Sequence, residues 1–587
     1  MRARLLAAAT AAALLVPAST AAAGDPIMAL SDVRAGMQCT GSSVVKGTAI
    51  SSFNVQVLDV IDGEPMSDGP RILIQASGPA VDATGIGPGF SGSPIYCPGA
   101  DGVPRNIGAI STSIGEYGGK VVLATPIEAI LTNPANPPVP RTGDGPASAR
   151  AAAAIRRIRR EGTKPLLGPL TISGVSPQLG RALEETGKRV GRPVIAVPAG
   201  PLGSFPVQQL QPGSAVSVGY STGDLRLGAI GTVAYTDGPT VWSFGHPFES
   251  AGARSLLLQD AYVFHVVNEP NALMTGGSYK LAVAGHDLGT ISNDAFAAVV
   301  GSVGALPRMT HLRATGKDDD TGATKTVETR IPDETDVDNP TGFSALGSVG
   351  PLAIAHAAGG SMQSAPGRLT GRACLKITFA ERPKRPARFC NRYVSSSVFD
   401  PFSGPIGNPI AFNAAMDAYL AFNIIDAYRG RPPHVATVRS DVRIQRGERL
   451  AFIYRVKAPR RVKPGQMATL RVSLQRLRGA TFTRRYRVRI PRGAEPGRRV
   501  LKLGGLREPS FEEDLFELIL GIEEEDEEEP RPARLDGLIK AINALTIWDG
   551  VRLRIGGVNG RAFRDPRIVI TGRAQTQVRV VGKKRRG

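Results

Sequence analysis

A mainly β protein built from several units is predicted by three features of the chain. Its 69 glycines and 46 prolines in 587 residues punctuate it too often for long helices. Apolar and polar residues alternate over short runs, as in Phe53-Asn-Val-Gln-Val-Leu-Asp-Val60, with the period of a half-buried strand. The length exceeds what one hydrophobic core can serve, so about three or four domains are expected.

Residues 1–23 read as a secretory signal peptide: Met1-Arg-Ala-Arg4, an apolar run from Leu5 to Val16, then small residues through Ala23. No later apolar run approaches the roughly 18 to 20 residues that span a bilayer. The expectation is a secreted or extracellular protein associated with the cell envelope. Its 4 cysteines fit an oxidising compartment. Two local disulfides, Cys39–Cys97 and Cys374–Cys390, are preferred over the other pairings, with buried free thiols as the alternative. The spacing lacks a CxxC pair or a neighbouring histidine, so no zinc site is expected, and neither a metal nor an organic cofactor is implied.

The formal net charge is +20. Basic residues fall in scattered clusters, among them Arg156-Arg157-Ile-Arg159-Arg160, Arg484-Arg485 and Lys583-Lys-Arg-Arg586, without interleaved aromatics. That pattern does not suggest nucleic acid. In an exported protein it suits solubility or contact with an anionic cell envelope.

Residues 24–133 form a β-rich unit, with strands at Phe53–Val60, Arg71–Gln75, Asn106–Ile110 and Lys120–Ala124, as in a small barrel or sandwich. Thr125 and Pro126 then suit the N-cap and first position of a short helix. Residues 134–164 are a linker rich in Pro, Ala and Arg, with a potential helix over 151–160. A second β-rich unit spans 165–308, where Thr236-Asp-Gly-Pro239 reads as a hairpin turn. Residues 309–437 are mixed, holding the second cysteine pair and a helix over Ala411–Ala427. An immunoglobulin-like sandwich is expected over 438–510. An acidic segment, 511–531, centres on Glu523-Glu-Glu-Asp-Glu-Glu-Glu529 and lacks the pattern of a calcium loop. Strands and a basic tail close the chain over 532–587.

Two stretches carry chemistry. In Gly87-Pro-Gly-Phe-Ser-Gly-Ser-Pro94 a serine sits between glycines that allow a tight turn. Ser91 would project from it while the N–H groups of Gly89 and Ser91 converge as an oxyanion hole. Such turns also occur in plain β loops. The second stretch, Ser243-Phe-Gly-His-Pro247, displays His246 just past a strand end. A lone histidine is more often structural than catalytic, yet none of the other histidines has a comparable glycine-framed setting.

Together these motifs resemble the stage IV sporulation protein B (SpoIVB) peptidase family of exported bacterial serine peptidases. Its serine motif reads Gly-Met-Ser-Gly-Ser-Pro, matched by Gly89–Pro94, and Thr84-Gly-Ile-Gly87 resembles the family's preceding stretch. Gly231-Thr-Val233 and Gly245-His246 resemble its histidine context, and Gly36-Met37 and Thr125-Pro-Ile-Glu128 also fit. The likeness covers roughly residues 30–310. It implies a chymotrypsin-like double β-barrel, with Ser91 as nucleophile, His246 as base and Asp82 as the acid, Asp260 being the alternative acid. Protein substrates follow from it, including self-cleavage in the linker near Arg156–Arg160. Two departures stand out: familiar members place the histidine before the serine, and they carry a PDZ domain that has no counterpart here. A triad tolerates any chain order, but here the two β units must dock. The rival reading is a catalytically inactive envelope-binding or adhesion protein on a peptidase-like scaffold.

Overall fold

A computed structural model describes residues 24–62, 69–114, 118–136, 169–197, 205–269, 277–337, 344–362, 368–395, 408–428, 430–506, 519, 533–545 and 549–582. The expected signal peptide, most of the expected linker with its potential helix, the acidic run and the terminal basic cluster lie outside the described residues.

Strands β1 (Gln38–Lys46), β2 (Ala49–Ile61), β3 (Arg71–Ser77), β4 (Pro94–Pro98), β5 (Pro104–Ser113) and β6 (Val121–Pro126) close into a barrel in the order β1-β2-β3-β6-β5-β4. Closure follows from alternation: Phe53, Val55, Val57, Ile72, Ile74 and Val122 all point into one core, and polar neighbours face out. The Cys39–Cys97 disulfide ties β1 to β4. Helix α1 (Ile127–Leu131) follows directly. Contrary to the capping expectation, Pro126 occupies its N-cap, and the Thr125 hydroxyl bonds elsewhere.

The next sheet contains β7 (Leu170–Ser173), β8 (Val194–Val197), β9 (Ala215–Gly219), β11 (Arg226–Asp237), β12 (Thr240–Ser243), β13 (Gly252–Glu269), β14 (Gly277–Asp294) and β15 (Val299–Val303). Its order is β12-β15-β14-β13-β9-β11-β7-β8, and β12 also pairs with β11. That extra pairing brings the hydrogen-bonded path back to its start, leaving β7 and β8 as an extension beside helix α2 (Pro177–Arg189). The expected turn joins β11 to β12, with Asp237 opposite Thr240. Only β10 (Thr222–Gly223) leaves this sheet, pairing with β17 of the next.

That third sheet, ordered β10-β17-β16-β20-β18-β19, adds β16 (Met309–Asp318), β17 (Thr324–Pro332), β18 (Leu369–Phe379), β19 (Ala387–Ser395) and β20 (Val435–Arg446). Helices α3 (Ala345–Gly360) and α4 (Pro409–Asp426) cover one face and merge its core with that of the second sheet. Residues 165–308 and 309–437 therefore share one core, and the boundary placed at 437/438 would cut β20. The structure moves it past Arg446, because β20 pairs with both β16 and β18. Cys374 and Cys390 stand opposite each other on β18 and β19, disulfide-bonded.

The last unit is two sheets around one core. One runs β24-β23-β21-β29, the other β22-β30-β25-β26-β27 with β28 on β26. Their members are β21 (Leu450–Lys457), β22 (Arg461–Val462), β23 (Met467–Arg476), β24 (Thr481–Arg489), β25 (Gly497–Gly505), β26 (Gly550–Ile555), β27 (Val558–Asn559), β28 (Phe563–Arg564), β29 (Val569–Thr571) and β30 (Arg573–Val580). The sandwich is thus not confined to 438–510: strands from 550–580 complete both sheets. Helix α5 (Leu535–Asn543) lies instead at the edge of the third sheet, where the Arg388 N–H donates to Asn543 Oδ1 at 2.6 Å.

Candidate active site

The barrel and the second sheet dock, and the serine loop is the seam. It connects β3 to β4, and its glycines set how closely it approaches. A Cβ on Gly87 would lie 1.8 Å from the Ser278 carbonyl oxygen, and one on Gly92 would lie 1.9 Å from that of Thr232. Gly89 and Gly92 have φ of 94° and 92°, which L side chains resist. The Phe90 N–H donates to Gly87 O at 3.0 Å, Gly92 N–H to Ile110 O at 2.7 Å and Ser93 N–H to Phe90 O at 2.9 Å. The Ser91 carbonyl accepts from Thr232 N–H at 2.8 Å. Between those bonds, the Gly89 and Ser91 N–H groups and the Ser91 hydroxyl make no hydrogen bond with a described residue.

Lys280 on β14 supports the loop from below. Its ammonium donates to Ser43 Oγ at 2.7 Å and Thr232 Oγ1 at 3.1 Å, and lies 4.6 Å from the Phe90 ring centre. Ser93 Oγ reaches Ser43 Oγ at 2.9 Å, and Thr232 Oγ1 donates to Gly89 O at 2.8 Å. One buried cation therefore holds residues of β1, the loop and β11 together. Burial pulls Lys280 down to about 7. Strand β14 buries Ser278, Lys280 and Ala282 and leaves the apolar Tyr279 and Leu281 between them half-buried, so hydrophobic alternation in the sequence points Lys280 to the wrong face.

The histidine loop meets the same supports. Phe244 and Gly245, both with φ of 66°, turn the chain after β12. Phe244 N–H donates to Thr232 O at 3.2 Å, and Thr125 Oγ1 donates to Gly245 O at 2.6 Å. A Cβ on Gly245 would sit 3.2 Å from Ile110 O. Both loops thus rest on the Thr232 and Ile110 carbonyls. His246 Nδ1 lies 2.7 Å from Pro247 O, which assigns it the proton; Nε2 is buried and has no hydrogen-bond partner among the described residues. Burial, reinforced by the Arg71 charge and opposed by the Pro247 bond, lowers the imidazole to about 4. No hydrogen bond joins Ser91 to His246, and their exposures are only 4% and 6%.

Neither sequence-selected acid meets His246. Asp82 is bound by Lys120 at 2.8 Å and by the Gly78 N–H at 3.0 Å, and the Lys120 bond holds its carboxyl below the usual range. Asp260 is fully buried and accepts from Gln208 N–H at 2.9 Å and from both His286 N–H and His286 Nδ1, the latter at 2.9 Å. Its histidine is therefore His286. The acid that sequence reasoning missed is Asp294, which anchors the loop rather than the imidazole. It accepts from Phe248 and Glu249 N–H at 2.6 Å each and from Ala251 N–H at 3.2 Å, and burial raises it to about 6.

Next to it, Glu249 joins Arg192 and Arg254, and Arg254 joins Glu334 at 2.8 Å. Burial pushes Glu249 upward, but the two guanidinium groups prevail and hold it at about 2. The described residues hold no group of His, Cys, Asp and Glu that could bind a metal ion. No family model matches the chain, and neither a curated protein nor a solved structure matches it.

Proposed function

We propose that the chain is an exported serine endopeptidase of the SpoIVB type, working with a Ser91–His246 dyad. Supporting this is the imidazole, whose Nδ1–H is fixed by Pro247 O and whose Nε2 lone pair is left open. In the proposed reaction the Ser91 hydroxyl passes its proton to His246 Nε2 as Oγ bonds to the peptide carbonyl carbon. The Gly89 and Ser91 N–H groups receive the oxyanion, at about 3 kcal/mol per donor. His246 then protonates the departing amine, and water attacks the acyl-enzyme by the same route in reverse. The Pro247 carbonyl orients the ring in place of an aspartate, so Asp82 and Asp260 stay outside the chemistry. We read the barrel and the second sheet as the two halves of a chymotrypsin-like peptidase, and the C-terminal sandwich as immunoglobulin-like.

Labelling of the mature protein by a fluorophosphonate tests the reading. Ser91→Ala should abolish labelling, His246→Gln should slow it by at least about a hundredfold, and Asp82→Asn should leave it within about twofold. Because the base must be neutral, the rate should climb as pH rises through about 4 and be level at neutrality. Folded protein that stays unlabelled would instead support a binding protein on a peptidase-like scaffold. The burial of both side chains is the observation favouring that second reading.

A further inference from the structure

The solvent face of the third sheet is arranged against ordinary sheet electrostatics. Arg392, Arg372 and Arg443 stand directly opposite one another on β19, β18 and β20. Farther along the same strands, Arg388, Lys376 and Arg439 do the same. Like charges in register destabilise a sheet, so stability does not explain this pattern. The sandwich lowers the loop 564–567 onto this face, and Arg392 fastens it by donating to Asp565 O at 3.0 Å and Pro566 O at 2.7 Å.

Two cavities of about 270 and 170 Å³ result, and both are lined by Arg372, Arg392 and Pro566. Their walls hold six arginines and three aspartates. Each aspartate is already engaged: Asp319 by Arg443 at 2.8 Å, Asp565 by Arg484 at 2.8 Å and Asp549 by Arg564 at 2.9 Å. The side chains of Arg372, Arg449 and Arg567 make no hydrogen bond or short ion pair with a described residue, and Arg372 acts on Asp549 only through its charge. Deeper in, Asp549 Oδ1 and Arg564 Nε are close enough to attract but not aligned to hydrogen-bond, so both buried atoms remain open. Burial lowers the Arg564 pKa, and of its charged neighbours Arg392 and Arg372 add to the drop while Asp549 opposes it. The walls thus carry an excess of positive charge and many N–H donors.

Guanidinium forks match phosphate oxygens two at a time and keep their charge at any working pH. No aromatic ring of a described residue lines either cavity, so these walls offer no platform for stacking a base. Two cavities in series suit an extended ligand better than a single compact ion.

We propose that this trough between the third sheet and the sandwich binds a linear phosphate chain, with Arg372, Arg449 and Arg567 supplying the open charges. The chain could be a free oligophosphate or a phosphodiester polymer, which share the recognised group. Calorimetric titration of the full mature protein at low salt distinguishes them, using tripolyphosphate in one arm and poly(glycerol phosphate) in the other. Saturable binding in either arm is expected, weakened by on the order of tenfold in Arg372→Gln and lost in the triple Arg372→Gln/Arg449→Gln/Arg567→Gln variant. Arg313→Gln, an exposed arginine elsewhere on the sheet paired with Glu328, should bind as the parent does. Near-UV circular dichroism establishes that each variant is folded. No saturable binding in either arm, affinity unchanged in folded Arg372→Gln, or equal affinity for polyglutamate would each overturn the proposal.

Discussion

Arg254→Met is expected to destabilise the protein by roughly 3–5 kcal/mol, the range for breaking a buried ion pair from one side. Arg254 is 3% exposed and bridges two carboxylates, donating to Glu334 at 2.8 and 3.1 Å and to Glu249 at 2.5 Å. Glu334 also accepts from Ser255 N–H at 3.3 Å and from Ala345 N–H at 3.1 Å, at the start of α3. Removing the guanidinium strands two buried negative charges where the histidine loop, β13 and α3 meet. Arg192 remains beside Glu249 and limits the loss there. The pH dependence gives the result its sign. In the parent the guanidinium groups of Arg192 and Arg254 outweigh burial and hold Glu249 at about 2, so it stays charged down to pH 4; without Arg254 burial raises it, it gains a proton as pH falls, and the gap between variant and parent narrows. Denaturant unfolding at pH 7 and pH 4 measures both values. A constant difference across that interval would refute the electrostatic account, and Arg254→Met/Glu249→Gln/Glu334→Gln should recover much of the loss.

Gly92→Ala should sever the contact between the serine loop and the second sheet. At φ of 92° the new side chain costs about 1–3 kcal/mol in backbone strain alone. Its Cβ would also stand 1.9 Å from Thr232 O and 2.6 Å from Phe244 N. Both are backbone atoms, so no rotamer change relieves the clash. The loop must lift, losing the Gly92–Ile110 and Ser91–Thr232 bonds that place Ser91 beside the histidine loop. On the proposed mechanism, labelling drops by at least about a hundredfold, since misplacement by roughly an ångström is that costly. Gly36→Ala is the control: its φ is also positive, at 89°, but its Cβ would meet nothing within 4 Å. Near-parental labelling of Gly92→Ala would show that the seam is looser than these distances imply.

Local pattern and remote placement were unequally legible in the chain. The alternation of Phe53–Val60 became β2, the helix read over Ala411–Ala427 is α4, and both cysteine pairs are bonded. Each of these depends on neighbours in sequence or on pairing within a unit. Helix α3 escaped notice because it is buried on nearly every side, so its apolar residues show no helical period, and Pro351 lies inside it. The span 438–510 falls short of the whole sandwich because β26 to β30 return across an acidic stretch that hides their relation to β21 and β25. The family resemblance points to Asp82 and nearness in sequence to His246 points to Asp260, but their partners, Lys120 and His286, come from elsewhere in the chain. Asp294 gave no such hint, since its work is to collect N–H groups from a loop far upstream.

Splitting the candidate nucleophile and base between two units also has a consequence in time. A ribosome finishes the barrel before β12 and its histidine loop exist, and domains tend to fold in the order they are made. Until residue 246 has been made, the nascent chain therefore holds an alcohol without its candidate base. On the proposed mechanism, competence arrives only when the second sheet has folded and seated itself, so hydrolytic power would be withheld during birth by the layout of the polypeptide itself.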